Sequence, residues 1–173
     1  MGKVVFYGAI SLDGYLAGKN EDLDWLLQTH VGDHTSYEAF IETIGTVVMG
    51  RITYEEALRL NQNQPLYPDQ KIVVFSRKQE AVDGQRTLHA DPVGYVQQLK
   101  AEEEKDIWIV GGGTLLHPLI EANLIDEWFI QIAPVFLGQG KRLFEPHSLA
   151  ARLTFVETRQ FGELIELHYR KKA

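Results

Sequence analysis

The hydrophobic positions of this chain switch between two periods. Val4–Ser11, 46–49, Lys71–Phe75 and 107–110 are short runs, apolar at almost every position, as strands covered on both faces are. A further short strand is expected at 86–89. Between these runs lie helical patterns. The segment 33–44 has Asp33 as N-cap and Tyr37, Phe40, Ile41 and Ile44 at helical spacing. Arg51–Leu60 is the next helix, followed by one from Asp91 or Pro92 through Tyr95, Val96 and Leu99 into the charged run 101–106. The last opens at Thr114, carries Leu115, Leu116, Leu119 and Ile120 on one side, and closes at Asn123. From Asp126 the period changes. Glu127–Ala133 reads as a strand, and Leu153–Phe161 and 164–170 alternate around Gly162 and Glu163, which predicts an antiparallel hairpin. Segments 12–21, 61–69 and 134–140 read as loops, and Asp24–Leu27 as a short amphipathic turn. The predicted architecture is a three-layer α/β fold in one domain, residues 1–173, with a mostly parallel central sheet and an antiparallel C-terminal hairpin.

Two junctions turn this scaffold into a candidate site. The strand at 46–49 runs into Gly50 and the helix at Arg51, and the strand at 107–110 runs into Gly111, Gly112, Gly113 and the helix at Thr114. A strand, a glycine turn and a helix start aim backbone N–H groups and the positive end of a helix dipole at an anion. Gly50, Arg51 and Thr53 would add a cation and a hydroxyl. Together the two turns suit a diphosphate held from two sides, although either alone is equally served by a tight turn with no ligand. Ser76-Arg77-Lys78, at the end of a third buried run, is a third anion site and suits a ribose 2′-phosphate, which favours NADPH over NADH. It also reads as an ordinary basic loop. The dinucleotide fingerprint is missing, because no G-x-G-x-x-G turn follows the first strand.

Ser11-Leu-Asp13-Gly leaves the first strand, where loops of α/β proteins carry function. Asp13 is suited to hydrogen-bond a polar heterocycle or to assist protonation, and Asp before Gly is equally a turn signal. Trp25 has a similar choice between walling a pocket for a planar ligand and packing in the core. His30 and His34 are four apart but separated by Gly32, and no histidine has metal-ligand spacing, so no metal is expected. G-x-S-x-G and H-E-x-x-H are absent.

Composition narrows the class. A net charge of −7 argues against a nucleic-acid or anionic-membrane partner. With no cysteine, disulfide and thiol chemistry are excluded. Neither a signal-peptide pattern nor an apolar run near membrane-spanning length is present, so a soluble cytoplasmic protein is expected.

Six segments carry a resemblance. Ser11-Leu-Asp-Gly-Tyr-Leu-Ala-Gly18 with Asp24-Trp-Leu26, Val48-Met-Gly-Arg-Ile-Thr-Tyr-Glu55 and Val74-Phe-Ser-Arg77 resemble the dihydrofolate reductase-like superfamily. Ile109-Val-Gly-Gly-Gly-Thr-Leu-Leu116, Leu124-Ile-Asp-Glu127 and Ile132-Ala-Pro-Val-Phe-Leu-Gly138 narrow it. They are similar to the C-terminal reductase domain of the riboflavin-biosynthesis deaminase/reductase and its small stand-alone relatives. The resemblance implies an NADPH-dependent reductase of a pyrimidine or pteridine-like small molecule, the phosphoribosylamino-uracil intermediate of riboflavin synthesis being one candidate. It implies that Ala9 and Ile10 meet the nicotinamide carboxamide, that Gly50, Arg51 and Thr53 hold the diphosphate, and that Ser76 and Arg77 hold the 2′-phosphate. Gly111, Gly112, Gly113, Thr114 and Leu115 would face the nicotinamide and diphosphate, with an unusual peptide, a cis bond being one form, at Gly111–Gly112 or Gly112–Gly113. Ser11, Asp13 and Trp25 are the candidate substrate contacts, and Asp13 the candidate catalytic group. Dihydrofolate reductases keep a carboxylate shortly after the tryptophan that matches Trp25. Residues 26–30 hold none, which argues against folate as substrate. No set of cations is left over for a phosphoribosyl group, and the deaminase domain is missing from this sequence. A non-catalytic nucleotide-binding or regulatory module on the same scaffold is the alternative. The C-terminal hairpin is the expected surface of a homodimer.

Overall fold

The computed structural model describes residues 1–78, 86–88 and 91–173. The chain runs β1 (Val4–Ser11), β2 (Tyr15–Ala17), a 3₁₀ turn (Lys19–Glu21), α1 (Asp24–Leu27), α2 (Tyr37–Glu42), β3 (Ile44–Gly50), α3 (Arg51–Leu60), β4 (Lys71–Phe75) and β5 (Arg86–Leu88). It continues with α4 (Pro92–Glu102), β6 (Asp106–Gly111), α5 (Gly113–Glu121), β7 (Glu127–Ala133), β8 (Lys141–Arg142), β9 (Leu153–Phe161) and β10 (Leu164–Lys171). Eight strands form one sheet in the order β5-β4-β3-β6-β1-β7-β10-β9, and β2 and β8 form a small second one. Pairing is parallel from β5 to β7 and antiparallel from β7 to β9.

Three layers follow from strand alternation. Val4, Phe6, Val48, Val73, Ile107 and Ile109 face one side and pack on Val96 and Leu99 of α4 and Leu115, Leu116, Leu119 and Ile120 of α5. Their neighbours Val5, Tyr7, Val47, Met49, Val74 and Trp108 face the other side, where α2 and α3 supply Phe40 and Tyr54. Continuous apolar runs are what a sheet covered on both faces requires. No helix among the described residues is long and apolar enough to cross a membrane.

Two expectations change. The helix expected at 33–44 is only α2, six residues, with Ser36 rather than Asp33 before it. Ile44 belongs to β3, where its β-branched side chain is fully buried in the ladder to β6. The loop at 12–21 contains β2, which pairs with β8. The strand expected at 86–89 is present as Arg86–Leu88, and His89 lies outside the described residues.

The sheet also opens at one point. The ladder between β1 and β6 stops at Phe6 and Ile109, while β1 stays paired with β7 as far as Ser11. β6 meanwhile continues along β3 to Gly111. The C-terminal halves of β1 and β6 therefore part, and a crevice at the carboxyl ends of parallel strands is where ligands bind in open α/β sheets.

Candidate active site

Beside this opening lies a groove of about 460 Å³. Three segments build it. Gly50, Arg51 and Thr53 come from the start of α3, Ser76, Arg77 and Lys78 from the end of β4, and Gly112, Gly113, Thr114 and Leu115 from the start of α5. These are the three anion sites read separately from the sequence, and β3 brings them together because it pairs with β4 on one side and β6 on the other.

The helix starts are bare. Neither Gly50 before α3 nor Gly112 before α5 provides a side-chain cap, so no capping side chain competes with an anion at either helix start. The turns also abut. A Cβ on Gly112 would sit 3.3 Å from Thr53 Oγ1, and one on Gly50 would sit 3.7 Å from the Gly112 amide nitrogen. Side chains at these two positions would fill the floor of the groove. The Gly111–Gly112 peptide is cis, and Gly111 has φ of +121°, a region open to glycine. Arg51 Nη1 is 2.9 Å from Glu55 Oε2 one turn along the helix, which orients the guanidinium and offsets part of its charge. Ser76 is buried, and its Oγ accepts a hydrogen bond from the Lys78 amide at 3.0 Å, which shapes the turn carrying Arg77 and Lys78.

The groove has further walls that sequence patterns do not reveal. Phe75, whose ring meets Tyr95 edge-on at 5.8 Å, and Pro92 line its side, and Lys141 reaches it from β8. Lys141 is held there by an ion pair with Glu21. A lone lysine in a glycine-rich loop carries no signal in the sequence. Its proximity depends on the β2–β8 pairing.

The candidates on β1 stand apart from this groove. Ala9 and Ile10 lie on β1 beyond its last pairing with β6, on the strand edge facing the opening. Ser11 is fully buried, and its hydroxyl accepts from the Tyr15 amide at 3.0 Å and donates to Asp13 Oδ1 at 2.6 Å. Asp13 also accepts from the amides of Leu137 and Gly138, at 3.1 and 2.8 Å. The Ser11 hydroxyl foremost, and these amides with it, hold the carboxyl down to about 2. Asp13 is thus an anion that ties the β1 exit to the 135–138 loop. Trp25 is buried with Ala133 and Leu164 in a small satellite core, its indole N–H donating to the Asp22 carbonyl at 3.1 Å. Among the described residues no group of His, Asp or Glu is arranged to hold a metal.

Comparison with known proteins decides the lineage. The RibD C-terminal domain matches residues 2–167. The chain belongs to the RibD C-terminal domain family. It is 33% identical over 169 residues to the uncharacterised protein YwjB of Bacillus subtilis, spanning 96% of this chain and 97% of that one. A candidate riboflavin biosynthesis protein from Shewanella sp. PV-4 has the same fold over the whole of both chains, with 27% identity and a TM-score of 0.86. The dihydrofolate reductase of Enterococcus faecalis, solved in complex with NADP(H), superposes over 99% of this chain and 98% of its own with a TM-score of 0.66. At 17% identity that likeness shows the fold alone. The scaffold is a reductase-like one, as the residue motifs implied.

Proposed function

We propose that this protein is an NADPH-dependent reductase of a pyrimidine- or pteridine-like small molecule. The observation that carries this reading is the groove in which two uncapped helix starts and the Ser76–Lys78 turn converge. Its parts fit the three charged or polar portions of the cofactor in one direction. Ser76, Arg77 and Lys78 suit a ribose 2′-phosphate, with charge-assisted hydrogen bonds from Arg77. Gly50, Arg51, Thr53, Gly112, Gly113 and Thr114 suit the diphosphate, and the absence of side chains at Gly50 and Gly112 gives it close access to the backbone. Gly111, Leu115, Ala9 and Ile10, at the parted strand ends, are the positions for the nicotinamide. When bound, the reduced nicotinamide supplies the hydride. What the chain contributes is positioning of two rings within a shielded crevice, with no nucleophile.

Ser11, Asp13 and Trp25 serve the substrate side through shape. Asp13, an anion held by three donors, fixes the loops that border the crevice, and Trp25 anchors the α1 segment behind them. The homodimer belongs to this reading as well. The C-terminal hairpin exposes Phe155, Ile165 and Leu153, an apolar patch suited to a second copy.

The test is steady-state oxidation of NADPH in the presence of pyrimidine and pteridine acceptors. Arg77→Ala should weaken NADPH binding about tenfold, about 1.4 kcal/mol, and leave NADH unchanged. Oxidation of NADPH and NADH at equal efficiency, insensitive to Arg77, would contradict the assignment. A protein that binds NADPH and oxidises it with no acceptor of these classes would be a binding module instead.

A further inference from the structure

Among the described residues four cations line the groove: Arg51, Arg77, Lys78 and Lys141. The first three belong to the segments that build it. Lys141 arrives from β8, and a close backbone crossing places it there. Gly140 has φ of +135°, and a Cβ at this position would lie 2.1 Å from the Ala17 carbonyl oxygen, so glycine is what lets the loop cross β2. Lys141 then pairs with Ala17, and Arg142 with Tyr15. Leu143, buried in the core with the α5 leucines, anchors the far side, its amide donating to the Gly14 carbonyl at 3.0 Å. The two cations of β8 are used differently. The Arg142 guanidinium stands 5.5 Å from the centre of the Tyr15 ring, whereas Lys141 reaches the groove.

β8 also fixes where along the groove the lysine lies. A Cβ on Gly113 would sit 3.9 Å from the Arg142 carbonyl oxygen, so β8 passes over the start of α5. β4, which leads into the Ser76–Lys78 turn, is separated from β6 by β3. Lys141 therefore stands at the helix starts, away from that turn. Its ammonium is paired there with Glu21, which belongs to the 3₁₀ turn between β2 and α1. Glu21 has φ of +62°, a region glutamate seldom adopts, and such a turn is held by its surroundings. The ion pair is solvated, with the lysine side chain 45% and the glutamate 27% exposed. Pairs of this kind are weak, and a lysine on its flexible stem exchanges one anion for another by turning its own side chain.

We infer that Lys141 is a ligand of the cofactor diphosphate and that Glu21 is its resting counter-ion, displaced as the diphosphate enters. Each phosphate of a diphosphate carries a full negative charge, and the positive ends of α3 and α5 favour it at this place over the carboxylate. Glu21 thus lowers the affinity of the groove, and it recaptures Lys141 as the cofactor leaves. Arg51 differs, since its partner Glu55 lies one turn along the same helix. The inference rests on the reading of the groove as a dinucleotide site.

The experiment is calorimetric titration of the full chain with NADPH and with NADH. Lys141→Met should weaken both about tenfold, because the diphosphate is common to them, whereas Arg77→Ala acts on NADPH alone. Glu21→Gln should work in the opposite direction and tighten both about threefold, a change within reach of a solvated ion pair. Added to Lys141→Met, Glu21→Gln should have no effect, since a competitor matters only while its target is present. Unchanged or weaker binding by Glu21→Gln would overturn the inference. Tightening that persists without Lys141 would overturn it too, as the mark of a general field effect. A loss in Lys141→Met confined to NADPH would contradict the diphosphate assignment by moving the lysine to the 2′-phosphate. NADPH binding that responds to Arg77→Ala but not to Lys141→Met would sink this inference and leave the cofactor reading standing. Binding of neither cofactor by the wild-type protein would overturn both.

Discussion

At the residue scale, the glycines and the buried carboxylates carry different weight. Gly112 has φ of −80°, which any residue adopts, so the effect of a side chain there is the space it fills. Gly112→Ala places a methyl 3.3 Å from Thr53 Oγ1, on the floor of the groove. NADPH affinity should fall at least about tenfold with little change in melting temperature, as calorimetric titration and thermal unfolding would show. Glu127 acts on stability instead. Burial works to raise its carboxyl, but hydrogen bonds from Lys3 at 2.7 Å and His168 at 2.9 Å, with the lysine charge and Arg170, hold it below the usual glutamate range. A carboxyl lowered in the folded state stabilises the fold above its unfolded pKa, and that contribution is lost as pH falls through the folded value. Glu127→Gln should cost about 1–2 kcal/mol at neutral pH, since Lys3 and Arg170 keep contact with water. The difference from wild type should shrink in acid, measured by denaturant titration at several pH values. Asp13 shows where residue-level reading falls short. An aspartate before glycine reads equally as a turn or as a reactive group, and only the fold reveals that loop 135–138 closes over it.

Elements were more legible than residues. The bounds of α3, β4, β7 and β9 coincide with the apolar patterns that predict them, because each is a run of one period ended by a polar residue, Pro or Gly (Asn61, Ser76, Pro134 and Gly162). α4 begins at an aspartate followed by proline, and the Asp91 carboxylate accepts from the Val93 amide at 3.2 Å, as an N-cap should. Asp91→Ala should therefore cost about 1 kcal/mol. In a domain of this length the melting temperature would fall by about 2–4 °C. An unchanged melting temperature would mean that the cap contributes nothing. Where patterns mislead, tertiary contacts are the cause. Residues 33–36 carry a helix start signal, yet Ser36 is drawn to Glu166, far along the chain, and the helix begins one residue later. β2 and β8 are three and two residues long, too short for any period to register.

For the whole molecule, the sheet order determines the site. Because β3 stands between β4 and β6, three loops distant in sequence share one edge, and because β1 leaves β6 for β7, the sheet opens beside them. The sequence showed the parts of the groove, but their convergence depends on the order of strands, which periodicity alone does not specify. The hairpin of β9 and β10 gives the molecule its exposed apolar edge, and sedimentation should report a dimer that Phe155→Glu converts to monomer.

The central claim is that the groove between α3, β4 and α5 is an NADPH site. Thermal unfolding with NADPH, NADH or flavin at equal concentration tests it most directly, because a ligand that binds the folded state raises its melting temperature by mass action. NADPH at about 100 times its dissociation constant should contribute about 2.7 kcal/mol, with a clearly smaller shift from NADH and none from flavin. Stabilisation by flavin alone, or by none of the three, would contradict the account.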